Sequence, residues 1–371
     1  MSKKQPLTRK QKRLLKKRRR RRILFGIEIF ILLILIAGVF IYAKLGKMNF
    51  TSLDFSKIGV NSGVSNNKVM KGYTTIGLVG LDNRSNKLKS GNSDTMIIAS
   101  INNDTKKVKL VSVYRDTYLR IGEDSEGNGQ YNRANAAYAK GGAEQFLNML
   151  NTNLDLNVTD FVSVDFQAVA EAVELLGGID VELKEEEVVH LNNYCVETSK
   201  VTGKKYKKIK PEVAGTYRLN GVQAVSYARI RYTEGGDYKR TERQRLVLEK
   251  TMNKMKTQDL ATINKIVDKV LPEVSTSFSA KEILGLASGA FSYELGKTTG
   301  FPFDLETPDK IPGYSGSYVI PKGLEANVVE LHKFLYPDKK YNPTKTVTQI
   351  SDTLVDMTGV DADKDTKGTS E

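Results

Sequence analysis

The chain has 371 residues and a formal net charge of +14, from 57 Lys and Arg against 43 Asp and Glu. Thirteen of these basic side chains lie within residues 1–22, which hold no acidic residue, so the rest of the chain is close to neutral. This distribution excludes a globally basic, nucleic-acid-binding body. One cysteine, Cys195, excludes an intramolecular disulfide and a CxxC metal site, and two histidines, His190 and His332, argue against a histidine-rich zinc centre.

The amino-terminal segment predicts a membrane anchor. Residues 23–43 are apolar apart from Glu28, and a helix of that length spans about 30 Å, the thickness of a bilayer core. The basic residues 1–22 should stay in the cytoplasm, which places residues 44–371 outside the cell. Contact with anionic lipid explains this tail, and nucleic-acid binding from the cytoplasmic face is the alternative. We therefore expect a single-pass protein of the cell membrane.

The rest of the chain predicts an α/β fold. Residues 44–72 are polar and without periodicity, so we expect an extracellular stalk. Apolar runs predict strands at residues 74–81, 95–101, 107–113 and 178–183. Helical periodicity follows at residues 143–150, 166–176, 220–229, 238–257, 260–270, 280–291 and 324–335. Such alternation predicts a mixed central sheet sandwiched by helices over residues 73–337. We expect residues 184–210 to be an exposed irregular segment and residues 338–371 a disordered tail.

Charged residues stand at the ends of the predicted strands. Asp82 and Arg84 follow the first strand, Asp94 opens the second, and Arg115 follows the third. Adjacent strands would bring these ends into one crevice, where α/β sheets commonly bind ligands. The carboxylates of Asp82 and Asp94 could hold a hard cation such as Mg²⁺. The alternative is that both are turn or cap residues.

A second group of charged residues lies further along the chain. Arg229 and Arg231 are two positions apart, so their side chains point the same way only in extended backbone. Two converging guanidinium groups can bind a phosphate or pyrophosphate. Arg240, Arg243 and Gln244 stand near the start of the next helix, whose amino-terminal end favours anions. The alternative is a solvated basic helix start.

These motifs resemble the LytR-CpsA-Psr family of Gram-positive cell-wall enzymes. The matching stretches, in order over about residues 73–337, are GLDNR, SDTMIIASINNDTKKVKLVSVYRDTY, YNRANAAYAKGG, VDFQAVAEAVELLGGIDVEL, AGTYRLNGVQAVSYARIRYTEGGDYKRTERQR and IPKGLEANVVELHKFLY. The resemblance implies a phosphotransferase that moves an anionic glycopolymer from an undecaprenyl-pyrophosphate carrier to peptidoglycan. Wall teichoic acid and capsular polysaccharide are the glycopolymers it implies, with Mg²⁺ or Mn²⁺ assisting.

The resemblance also implies roles for individual residues. Asp82 and Asp94 match the paired acidic residues near the metal, one of which takes the acceptor's proton. The residues that match the pyrophosphate-binding arginines are Arg115, Arg229 and Arg231. Supporting positions at the phosphate head are matched by Arg84, Asp237, Arg240 and Gln244. Many relatives have an arginine where this chain has Asn92. The group that binds the pyrophosphate therefore has one positive charge fewer here, unless Arg84 takes that place.

Two other functions stay open at this point. If water takes the place of the acceptor, the protein is a pyrophosphatase that hydrolyses the lipid carrier. If the protein catalyses no reaction, it is a membrane-bound regulator or a polyanion-binding protein. The predicted helix at 166–176 either lines an apolar slot for the prenyl chain or is simply core. We expect His190 to be exposed, His332 to be packed or capping, and Cys195 to be an inert loop thiol.

Overall fold

The computed structural model describes residues 42–64, 70–81, 93–308, 311 and 316–362. Two compact units are distinguished, residues 1–47 and residues 48–371, and the described part of the first begins with a helical turn at 42–45. The predicted basic tail and all but the last two residues of the predicted membrane span lie outside the described residues. None of the helices in the described ranges combines the length and apolarity needed to cross a bilayer.

A seven-stranded mixed sheet forms the centre of the second unit. Its strands are β1 (Asn49–Phe50), β2 (Tyr73–Leu81), β3 (Ser93–Asn102), β4 (Lys107–Val113), β7 (Asp160–Asp165), β10 (Val274–Thr276) and β11 (Glu294–Phe301). Their spatial order is β1-β10-β7-β2-β3-β4-β11, with β2–β3, β3–β4 and β7–β10 antiparallel and the other pairs parallel. The strands predicted from the three long apolar runs are confirmed as β2, β3 and β4.

Three two-stranded ribbons accompany the central sheet. They pair β5 (Tyr118–Glu123) with β6 (Gly129–Arg133), β8 (Ile179–Leu183) with β9 (Gly215–Leu219), and β12 (Leu305–Glu306) with β13 (Ile320–Pro321). The helices are α1 (Ala136–Leu154), α2 (Phe166–Leu175), α3 (Glu185–Thr202), α4 (Gly221–Arg229), α5 (Gly236–Met255), α6 (Leu260–Val270), α7 (Ala280–Ser288), α8 (Leu324–Leu335) and α9 (Lys345–Thr358).

The sheet is buried on both faces, because successive side chains of a strand point to opposite sides. On β3, Met96 and Ile98 pack into a core with α1, α8 and α9, whereas Ile97 and Ala99 pack into a second core with α5 and α7. Gly77 of β2 allows α1 to approach closely, since a Cβ there would lie 2.7 Å from a ring carbon of Phe146. The predicted architecture, a mixed sheet with helices on both faces, is therefore confirmed.

Three expectations about the connecting segments are wrong. The supposed stalk supplies strand β1, and its Leu53 and Ile58 are buried in the main core. The supposed irregular segment at 184–210 contains the 18-residue helix α3, which buries an apolar face despite its charged first turn. The supposed disordered tail contains α9, which begins at its N-cap Thr344 and packs Val347 into the main core.

Candidate active site

The end of β4 and the start of β3 bring Asp94 and Arg115 together. The two strands are antiparallel, with Ile97 opposite Ser112, so residues just before and after this pair are neighbours. Arg115 Nη1 donates a hydrogen bond of 2.8 Å to Asp94 Oδ1. The predicted meeting of the strand ends is therefore observed for Asp94 and Arg115. Asp82, Arg84 and Asn92 lie outside the described residues.

The first turns of α5 place a buried arginine behind this pair. Gly235 and Gly236 have φ of 83° and 46°, a left-handed conformation that favours glycine and turns the chain into α5. Arg240, with a side chain only 2% exposed, lies 3.0 Å from Asp237 Oδ1 and donates to the Asp94 backbone oxygen at 3.2 Å. Burial lowers the pKa of Arg240 to about 10 and raises the pKa of the Asp237 carboxyl.

Asp237 is shared between three arginines. Besides Arg240, its Oδ1 lies 3.7 Å from Arg115 Nε and 3.9 Å from Arg231 Nε. Arg231 Nη2 also lies 3.6 Å from Asp94 Oδ2. Two carboxylates thus hold three guanidinium groups in one cluster, which fixes their positions before any ligand binds.

Arg229 is the last residue of α4, and Arg231 lies on the turn that follows it. Ile230 between them has φ −59° and ψ 127°, which is not helical, and both arginines line the same cavity, as the two-residue spacing predicts for extended backbone. Arg229 donates to Glu197 Oε2 at 2.9 Å and to Thr198 Oγ1 at 3.0 Å. Both acceptors belong to α3, so this helix orients Arg229.

The arginines surround a polar cavity of about 190 Å³. Its lining comprises Asp94, Phe166, Tyr194, Glu197, Arg229, Arg231, Tyr232, Arg240 and Gln244. We call it the arginine cavity. Arg115 and Asp237 stand behind its wall, in ion pairs with lining residues. Three guanidinium groups in one lining can bind a multiply charged anion such as a pyrophosphate.

An apolar cavity of about 340 Å³ adjoins the arginine cavity, because Phe166 and Gln244 line both. Its walls come from β2, β3 and β7 on the sheet side and from α2, α4 and α5 on the helix side, including Val79, Val164 and Ala172. The predicted helix at 166–176 does line this apolar slot. Asp165 at its edge caps α2 through Ala168, and burial raises the pKa of its carboxyl.

The described residues do not by themselves form a metal site. No group of three histidine, cysteine, aspartate or glutamate residues in the described ranges is placed to hold a metal ion. Arg115 and Arg231 already engage the two carboxylate oxygens of Asp94.

Several residues of the arginine cavity were missed from the sequence. Glu197 and Tyr194 lie on α3, which was not predicted. Tyr232, 75% exposed, directly follows Arg231, and this adjacency was the available signal. The prediction that His190 is exposed is wrong: it is half-buried, because its ring lies beside that of Tyr232, with centroids 6.3 Å apart. His332 is packed, as predicted, and lies in the main core far along the chain from these residues.

Comparison with known proteins gives one consistent match. The family described as LytR_cpsA_psr matches residues 39–299, which include every residue of the arginine cavity. Biofilm regulatory protein A of Streptococcus mutans is 29% identical over 240 residues, or 62% of this chain and 56% of that protein. The polyisoprenyl-teichoic acid–peptidoglycan teichoic acid transferase TagU of Enterococcus faecalis is 32% identical over 213 residues, or 57% of this chain and 63% of that protein. The chain thus spans less than two thirds of the length of either relative.

A solved structure has the same fold. Protein gbs0355 from Streptococcus agalactiae superposes with a TM-score of 0.62 at 28% identity, covering 76% of this chain and 94% of that one. The shared fold is a central mixed sheet flanked by helices.

Proposed function

Because the chain belongs to the LytR-CpsA-Psr family, we propose that it is a membrane-anchored phosphotransferase acting outside the cell. It would move an anionic glycopolymer, of the wall teichoic acid or capsular polysaccharide type, from an undecaprenyl-pyrophosphate carrier to peptidoglycan. The observation that carries this proposal is the junction of the arginine cavity with the apolar cavity at Phe166 and Gln244. The transferase name of the Enterococcus faecalis relative supports it.

The two cavities match the two halves of such a carrier. A pyrophosphate has several negative charges, and Arg229, Arg231 and Arg240 line the cavity that would receive it. A polyisoprenyl chain is apolar, and the adjoining cavity has apolar walls. Head and tail are contiguous in the lipid, as the cavities are contiguous in the protein.

The proposed reaction is a substitution at the phosphorus bonded to the sugar. The acceptor hydroxyl oxygen forms a bond to that phosphorus, and the bond from phosphorus to the bridging oxygen breaks. The lipid phosphate leaves with the electron pair, and Arg229 and Arg231 neutralise the charge that develops on it. The hydroxyl proton goes to a carboxylate. Arg115 and Arg231 hold Asp94, so we assign the proton to Asp82 and a positioning role to Asp94.

The metal and the membrane placement belong to the proposal as well. Asp82 and Asp94 would hold Mg²⁺ or Mn²⁺, which when bound supplies positive charge to the phosphates. Residues 23–43 would form the anchor, with residues 1–22 in the cytoplasm and the cavities outside. An anchored protein meets a membrane-bound carrier at high effective concentration.

A transfer assay tests the proposal. The full chain in detergent is incubated with a polyisoprenyl-pyrophosphate-linked oligosaccharide, peptidoglycan oligomers and Mg²⁺, and mass spectrometry follows the phosphodiester adduct. We expect the adduct to form, to require the metal, and to form about 100-fold or more slowly with Arg231→Ala. The matched control is Arg218→Ala, because Arg218 is exposed, pairs with Asp180 and lines neither cavity.

Each other outcome points to a different function. Released sugar phosphate without adduct would indicate hydrolysis of the carrier. Tight lipid binding without any turnover would overturn the transferase and favour a binding or regulatory protein, in keeping with the name of the Streptococcus mutans relative.

A further inference from the structure

A third cavity, of about 780 Å³, lies on the other side of α5. Arg240 and Gln244 of α5 face the arginine cavity, whereas Glu242, Arg245 and Glu249 line this third one. These two sets of positions fall on opposite sides of a helix with 3.6 residues per turn. We call the third cavity the Arg245 cavity. Its volume is within the range of about 300–1,000 Å³ that is usual for ligand sites.

Arg245 is a buried cation without an ion pair of its own in the described part of the chain; the carboxylate that acts on its charge, Glu242, is already paired with Lys239. Its residue is 7% exposed, and its Nε and Nη1 atoms are buried without a hydrogen-bond partner there. No ion pair to Arg245 is found among the described residues. A buried charge without a paired counter-ion destabilises the fold. Such a group is stabilised when a ligand brings the missing anion.

A second orphaned donor lies on the same face of α5. Tyr238 precedes Arg245 by seven residues, two helical turns, and its buried hydroxyl also has no hydrogen-bond partner among the described residues. The ring of Tyr114 packs edge-on against Tyr238 with centroids 4.7 Å apart. Arg115 and Asp237, the ion pair behind the arginine cavity, are the chain neighbours of these two tyrosines. Tyr238 therefore lies next to the ion pair behind the arginine cavity, and Arg245 lies two turns further along the same helix.

The lining of the Arg245 cavity carries charges of both signs, five glutamates against Lys184, Lys239, Arg243 and Arg245. Two of the glutamates are already paired, at 2.8 Å and 2.7 Å, as Glu187–Arg243 and Glu242–Lys239. The other three, Glu186, Glu234 and Glu249, have no ion pair within the described residues. The cavity therefore offers partners to both amino groups and a carboxylate. A ligand that carries one carboxylate for Arg245 and amino groups for the glutamates would be attracted at both ends.

We propose that the Arg245 cavity binds a peptide that carries a free carboxylate and amino groups, and that this peptide is part of the acceptor. The second half of the proposal rests on the proposed function, since peptidoglycan carries such peptides. The two cavities are separated by one helix, about 10 Å across. A glycan whose peptide occupied the Arg245 cavity would therefore be held beside the arginine cavity.

A binding experiment on the full chain in detergent tests this. The probe is a soluble muropeptide, a disaccharide with its peptide, compared by ligand-observed NMR with the same compound after amidation of its carboxylates. We expect wild type to bind the free acid at least tenfold more tightly than the amide. Arg245→Met should remove this difference by weakening only the free acid, and Arg218→Met should keep it.

Thermal unfolding separates a binding role of Arg245 from a structural one. Removal of an unpaired buried charge should leave the melting temperature of the ligand-free protein unchanged or higher in Arg245→Met. A clear fall would overturn the inference, because it would mean that Arg245 stabilises the fold. The variant Glu249→Gln keeps the buried arginine and removes one carboxylate. It should weaken binding of the free-acid muropeptide and leave binding of a form with acetylated amines unchanged.

The failures of the two proposals are distinguishable. Equal binding of acid and amide by wild type, with transfer intact, overturns only the peptide site. Arg245-dependent binding without any transfer overturns the transferase and leaves the peptide site standing.

Discussion

Asp155 and Tyr341 are 186 residues apart in sequence and form a hydrogen bond of 2.5 Å between the hydroxyl and the Asp155 carboxylate. The same fully buried carboxylate accepts bonds from Asn61 Nδ2 at 2.6 Å and from the backbone and hydroxyl of Thr344 at 2.8 Å and 2.7 Å. Asp155 therefore joins the end of α1 to the segment between β1 and β2 and to the start of α9.

Replacement of Asp155 should strongly destabilise the protein. Asp155→Ala leaves several buried donors without an acceptor, so we expect the free energy of unfolding to fall by about 3 kcal/mol or more. Urea titration followed by circular dichroism measures this. Asp180→Ala is the control, because its pair with Arg218 is exposed and its loss should have little effect on stability. Equal effects of the two substitutions would contradict the assignment.

His332 should make stability depend on pH. Its ring is buried and stacks on Tyr341 at 3.6 Å, and burial lowers the pKa of the imidazole to about 4. The unfolded chain takes up a proton near pH 6.5, so stability is complete above that pH and is lost as the pH falls toward 4. We expect a loss of about 2 kcal/mol between pH 7 and pH 5.

The variant His332→Gln isolates this effect. Glutamine does not titrate, and its amide can donate to the Leu154 carbonyl that His332 Nε2 contacts. Urea midpoints of both proteins, measured from pH 5 to pH 7, should converge toward low pH. Parallel curves would show that His332 is not the group responsible.

Long-range pairing explains what the sequence could and could not predict. The continuous apolar runs of β2 and β3 are typical of buried strands, and their ends placed Asp94 beside Arg115. Helix α3 was missed because its first turn is acidic, although Val188, Leu191 and Cys195 form a buried stripe at spacings of three and four. The roles assigned to the site residues by resemblance stay predictions.

Strand β1 and helix α9 were missed for a different reason. A two-residue strand has no periodicity of its own, and β1 exists because Asn49 pairs with Ser275 of β10. Helix α9 has the apolar spacing Val347, Ile350 and Leu354, but what orders it is the contact of Thr344 with Asp155. Neither partner can be read from the local sequence.

Filling the apolar cavity should separate lipid recognition from phosphate recognition. Ala172→Phe would occupy part of the cavity, and loss of about 60 Å² of apolar contact corresponds to about a tenfold loss of affinity. We expect that loss for a polyisoprenyl pyrophosphate and little change for inorganic pyrophosphate, both measured by calorimetry. Ala287→Phe on the exposed side of α7 is the control. Equal weakening of both ligands would argue against a lipid in this cavity.

Cys195 should be unreactive in the native protein. The residue lies in the core between α3 and β8 rather than in the predicted loop, and burial raises the pKa of its thiol to about 11. Only the thiolate reacts readily with disulfide reagents. We expect no labelling by such a reagent at pH 8 over an hour and complete labelling in urea. Rapid native labelling would contradict the observed packing.

The junction of the two cavities at Phe166 and Gln244 has a consequence for turnover under the proposed reaction. The chemistry changes only the head of the lipid, so the apolar cavity contacts the product as it contacted the substrate. Contacts that are equally strong before and after the reaction increase affinity for the lipid but do not increase the rate of the chemical step. The spent carrier, still bearing one phosphate, would occupy the site and inhibit the next round. The rate of the whole cycle would then depend on how fast that lipid returns to the bilayer.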